Sequence, residues 1–113
     1  MSKEELSELL HSLRIPINEG TVSEENTGKF PRVIYWPFVE KDEMASGTEY
    51  HNAVTYQISF YARTPRHQKY KELRQMLRKK GIHPTYYHEY LENDPFYSKC
   101  WHTYFALDVI EDV

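Results

Sequence analysis

One cysteine in 113 residues, Cys100, excludes an internal disulfide and leaves no cysteine pair to hold a metal. Such sparing use suits a reducing compartment, so a cytoplasmic origin is expected. No apolar run approaches the roughly 20 residues that a membrane-crossing helix needs. The acidic start Met1-Ser2-Lys3-Glu4-Glu5 is unlike a secretory leader, and the expectation is a soluble, unexported protein with no membrane partner. Charge of one sign is not in excess either: 14 Lys and Arg stand against 17 Asp and Glu, and a formal charge of −3 singles out no partner. The patterns GxxxxGK followed by Ser or Thr, GxGxxG, GxSxG and HExxH are all missing, so nucleotide, hydrolase and zinc-protease chemistry lack their signatures. There is no internal repeat and no low-complexity tract.

What is present describes one small globular domain, with 40% hydrophobic and 27% charged residues. Ser2 and Glu5 form a capping box, and Leu6, Leu9, Leu10 and Leu13 recur on one helical face until Pro16. Asn18 to Lys29 reads as a surface connection with room for a short extended piece. Arg32-Val33-Ile34-Tyr35-Trp36 is a strand that Pro37 should end. A polar segment from Glu40 to Thr48 should follow, mobile in the free subunit. Val54, Tyr56, Ile58, Phe60 and Ala62 then alternate with Thr55, Gln57, Ser59, Tyr61 and Arg63, which predicts a long strand with two different faces.

Thr64-Pro65 fits a helix start, Tyr70, Leu73, Met76 and Leu77 a buried stripe, and Gly81 a left-handed cap. Two more strands, Thr85 to Leu91 and Lys99 to Ile110, flank an Asn93-Asp94-Pro95 turn. The expected fold is α/β of the α+β kind, α-β-β-α-β-β, with a four-stranded, mainly antiparallel sheet. Both helices should cover one face. The other should stay open, presenting Thr55, Gln57, Ser59 and Tyr61 beside Cys100, His102, Tyr104 and Ala106.

Six histidines raise a metal or catalytic possibility, with His83, His88, Glu89 and His102 all near the last two strands. Their spacing matches no metal motif, and solvated or hydrogen-bonded side chains are expected. Cys100 and His102 lack a third group to orient them, so Cys100 is read as a small half-buried structural residue. No catalytic residue, metal or cofactor is assigned. The basic run from Arg63 through Arg66, Lys71, Arg74 and Arg78 to Lys80 suggests nucleic acid, but the charges spread around the outer side of a solvated helix in an acidic chain. The aromatic surplus says more. Tyr35, Trp36, Phe38, Tyr61, Tyr86, Tyr87, Tyr90, Phe96, Tyr97, Trp101, Tyr104 and Phe105 exceed what one sheet face can bury. A subunit interface is the expected use, ahead of tyrosines with merely wet hydroxyls. Trp36, Phe38, Tyr61, Phe96 and Tyr97 are its candidate residues.

Four stretches together resemble a known family: Phe30-Pro31-Arg32-Val33-Ile34-Tyr35; Val54-Thr55-Tyr56-Gln57-Ile58-Ser59-Phe60-Tyr61; Arg78-Lys79-Lys80-Gly81-Ile82; and Tyr90-Leu91-Glu92-Asn93-Asp94-Pro95-Phe96-Tyr97. In element order and aromatic placement, from about Phe30 to Val109, the chain is similar to the small tail-completion proteins of long-tailed bacteriophages, the tail terminators or tail-to-head joining proteins. The resemblance implies a non-enzymatic subunit of a closed ring, commonly a hexamer, that caps the tail tube and offers the head a docking surface. Implied partners are further copies of itself, the tail tube protein and a head–tail connector protein, with DNA only as passing cargo. The implied location is the head-proximal end of the virion tail, after synthesis in the host cytoplasm. Another small tail or head–tail connector component, or a small nucleic-acid-binding module, is the alternative.

Overall fold

The computed structural model describes residues 1–21, 28–45, 49–92 and 99–111. They form two helices and a five-stranded mixed sheet. In chain order the elements are α1 (Lys3–His11), β1 (Ile17–Glu19), β2 (Arg32–Ala45), β3 (Glu49–Ala62), α2 (Gln68–Lys79), β4 (Tyr87–Leu91) and β5 (Cys100–Glu111). The spatial order is β1-β2-β3-β5-β4, so β5, last in the chain, lies between β3 and β4. Every pairing is antiparallel except β1 on β2, which is parallel.

The fold is therefore α+β as expected, with a fifth, parallel strand that the four-stranded, mainly antiparallel reading omits. β1 has only three residues and no alternating pattern, too little for periodicity to register. It is held between a bond from the Val33 N–H to the Pro16 carbonyl and one from the Gly20 N–H to the Tyr35 carbonyl.

Helix starts and stops follow local chemistry. The Ser2 hydroxyl accepts from the Glu5 N–H at 3.1 Å, as the capping pattern predicts. At the end of α2 the N–H of Gly81 (φ +76°) bonds to the Arg78 carbonyl and that of Ile82 to the Leu77 carbonyl. That is the Schellman arrangement, whose left-handed residue is easiest for glycine. The start of α2 differs from the sequence expectation. Arg66 takes a left-handed backbone (φ +49°), which breaks any helix begun at Thr64-Pro65, and His67 caps instead by accepting from the Lys69 N–H at 3.0 Å.

β2 also departs from expectation. It does not stop at Pro37 but continues to Ala45, pairing with β3 through Ala45–Glu49, so Glu40 to Ala45 is strand rather than a loose connection. The physical reason is position. β1 covers β2 only at Val33–Tyr35, so beyond Trp36 the outer side of β2 is a sheet edge among the described residues, where a missing N–H is tolerated. A bulge between Pro37 and Val39 absorbs the irregularity. Residues 46–48 of the expected mobile segment and 22–27 of the expected surface connection lie outside the described residues.

The main core is a single layer between sheet and helices. Leu6, Leu9, Leu10 and Leu13 of the α1 region and Tyr70, Leu73 and Leu77 of α2 meet Val33, Tyr35, Val54, Tyr56, Ile58, Phe60, Phe105, Leu107 and Val109. The helical stripes and the alternating strand faces point where their periods require. Met76, expected in the stripe, is only partly buried at its margin. No helix among the described residues is long and apolar enough to cross a membrane.

Candidate functional site

The side of the sheet away from the helices is the most distinctive surface. Side chains alternate along a strand, so β3 sends Thr55, Gln57, Ser59 and Tyr61 to this side and β5 sends Cys100, His102, Tyr104 and Ala106. β2 adds Arg32, Ile34 and Trp36, and β4 adds Tyr87, Glu89 and Leu91.

One end of this side is closed, contrary to a wholly open face. Ile34, Tyr61 and Cys100 are buried as a second small core, with Phe30, Trp36 and Leu91 packed against it. Cys100 has 0% exposure, fully rather than half buried, and Ser59 is buried as well. Arg32, with 1% exposure, holds its guanidinium 4.9 Å from the Phe30 ring centre and 5.3 Å from that of Tyr61. Arg63 approaches Phe30 from 4.3 Å. Phe30 thus has two guanidinium groups at cation–π distance, one of them, that of Arg32, on a buried residue.

Beyond that cap runs a row of parallel rings. Tyr61 stacks on His102 with centres 4.6 Å apart and planes 7° apart; His102 stacks on Tyr104 at 4.9 Å, and Tyr104 on Tyr87 at 5.4 Å. The register creates the row, because Tyr61 is directly opposite His102 and Tyr104 directly opposite Tyr87. His102 Nδ1 lies 2.7 Å from Glu89 Oε1. Burial holds the His102 imidazole below its ordinary pKa, and Glu89 offsets that only in part. At neutral pH the pair is thus a neutral imidazole donating from Nδ1 to a carboxylate. Nε2, buried, has no hydrogen-bond partner among the described residues.

Past the rings the surface becomes mixed. Thr55 donates to Asp108 Oδ1 at 2.7 Å, while Phe38, Val39 and Ile110 stand 51%, 48% and 53% exposed. Phe38 sits at the bulge, which is why it is not drawn into either packed layer.

The candidate interface residues therefore separate. Phe38 is exposed, Trp36 is half-buried, and Tyr61 is buried within the ring row. Phe96 and Tyr97 lie outside the described residues. Tyr87 and Tyr104, the outer half of the row, were missed as interface candidates, although the alternation of β5 already placed Tyr104 on this side. The grouping of His83, His88, Glu89 and His102 does not form. His88 Nδ1 is 2.7 Å from Thr103 Oγ1 on the helix side, whereas Glu89 and His102 meet on the opposite side. No three His, Cys, Asp or Glu side chains among the described residues are placed to share a metal ion.

The edges of the sheet are stepped. β4 covers β5 only from Cys100 to Tyr104, just as β1 covers only the first part of β2. The upper outer edges of β2 and β5 consequently have no strand partner among the described residues. On β5 the Ile110 N–H is met by the Met1 carbonyl at 3.1 Å. Compared with known proteins, the chain matches no family model, and no curated protein is significantly similar to it.

Proposed function

We propose that the protein is a structural subunit of a phage tail, a tail terminator or tail-to-head joining protein that closes into a ring on the tail tube and presents a docking surface to the head. The observation that carries most weight is the open sheet face, with Tyr104, Tyr87, Phe38, Val39 and Ile110 beside two sheet edges that have no strand partner among the described residues. A ring requires two different surfaces that meet head to tail, and the open face and stepped edges of an elongated subunit, 50 × 28 × 22 Å, supply candidates for both. Exposed aromatics contribute disproportionately when such surfaces are buried. The family resemblance supports the same reading, and with it the tail tube and connector proteins as partners. The action is one of shape and binding, without catalysis.

A nucleic-acid module is less well supported on this face. Tyr61, His102, Tyr104 and Tyr87 stack on one another, which leaves fewer ring faces for bases.

Deletion of the gene in its parental phage, followed by electron microscopy of the lysate, tests the assignment. Full heads with unjoined tails of abnormal length are expected. Normal virions would exclude the role.

A further inference from the structure

We propose that the outer side of α2 is a binding site for a small ligand carrying two linked phosphate groups. Two adjoining cavities lie there. The inner, of about 70 Å³, is bounded by Arg74, Arg78, His83 and Tyr86; the outer, of about 270 Å³, shares Arg74 and Arg78 and adds Arg66 and Lys71. The spacing of Lys71, Arg74 and Arg78 puts all three on one side of the helix. No carboxylate lines either cavity among the described residues. Glu72, the acidic residue of α2, is paired with Lys69 at 3.3 Å.

Four positive charges around the two hollows, Arg66, Lys71, Arg74 and Arg78, form a field that a phosphate dianion relieves. The neighbouring groups register that field. Burial first, then Arg66 and Arg74, lower the pKa of His88. The small inner cavity is on the scale of a single phosphate group. Arg74 already leans on the Tyr86 ring, 5.1 Å from its centre. Tyr86 lines the inner cavity, and its buried hydroxyl has no hydrogen-bond partner among the described residues, so an oxyanion lodged beside Arg74 and Arg78 would supply the acceptor it lacks. Arginine suits this task, since its planar fork can grip two phosphate oxygens at once. A second, linked phosphate then lies within reach of Arg66 and Lys71 in the outer cavity. The site is on the opposite side of the sheet from the open face and does not depend on the ring assignment.

Calorimetric titration of the full chain with inorganic phosphate, pyrophosphate and ADP at low ionic strength tests the assignment. Pyrophosphate should bind saturably and about ten-fold or more tightly than phosphate, as expected if a second charged contact is made. ADP at the same affinity indicates a free diphosphate ligand and at higher affinity a nucleotide; either outcome supports the site. Arg78→Gln, at an exposed position, and Arg74→Gln should each weaken pyrophosphate about ten-fold, and Tyr86→Phe several-fold. Lys79→Gln makes the same charge change outside both cavities and should alter affinity less than about two-fold. Absence of saturable pyrophosphate binding overturns the proposal. So does a loss in Lys79→Gln equal to that in Arg78→Gln, or tighter binding of a short DNA duplex that all four variants weaken alike, since both describe a diffuse cationic surface rather than a site.

Discussion

The imidazoles of His102 and His88 are both held below their ordinary pKa, the first by burial within the ring row and the second by partial burial beside Arg66 and Arg74. Their folded pKa values lie below the ordinary 6.5, so in a window just under that value the unfolded chain binds more protons than the folded one. Stability is full above the ordinary histidine pKa and is lost as the pH falls through 6.5 toward the lower folded values. Urea unfolding at several pH values should show this decline, and His102→Gln should flatten it. At the same scale, Leu77 is completely buried at the meeting of α2 with the sheet. Leu77→Ala should destabilise the protein by about 2–5 kcal/mol, readable as a lower urea midpoint with an unchanged slope.

Among the elements, the two helices and the long strands β3 and β5 were legible because each repeats its signal over many residues. Leu6, Leu9, Leu10 and Leu13 mark one helical side, and Val54 to Ala62 alternate without a break. The features missed were set by non-local geometry. Whether Pro37 ends a strand depends on whether a neighbour needs its N–H, and that neighbour, β1, stops at the level of Tyr35. The His67 cap was hidden for a related reason, since Thr64-Pro65 offers an equally good local start and only the turn at Arg66 decides between them. On the open face, alternation put Tyr61, His102 and Tyr104 together, but their stacking order required the cross-strand register. Gly81 gives an element-scale test. With nothing within 4 Å of an added Cβ, Gly81→Ala meets only the strain of φ +76°. It should cost about 1 kcal/mol, seen as a modest fall in melting temperature.

For the whole molecule, the proposed ring assembly can be separated from folding by the choice of residue substituted. Phe38 is 51% exposed at the bulge and belongs to neither core cluster. Phe38→Ala should leave stability within about 0.5 kcal/mol while weakening ring formation on tail tubes, measured by co-sedimentation. Trp36→Ala, by contrast, should affect both, because Trp36 also packs on the Ile34–Tyr61–Cys100 cluster.

The place of β5 carries a consequence in time. Thr55 pairs with Asp108 and Tyr87 with Tyr104, so the strand made last must enter between two made earlier. During synthesis β3 and β4 wait with their inner edges uncovered, and the helices have only part of the surface they pack on. A nascent chain halted at Lys99 should accordingly be protease-sensitive and lack a cooperative melt, whereas adding the next dozen residues should produce both protection and cooperativity in one step. The same delay makes the interval before β5 arrives the period of greatest exposure to mispairing with another copy.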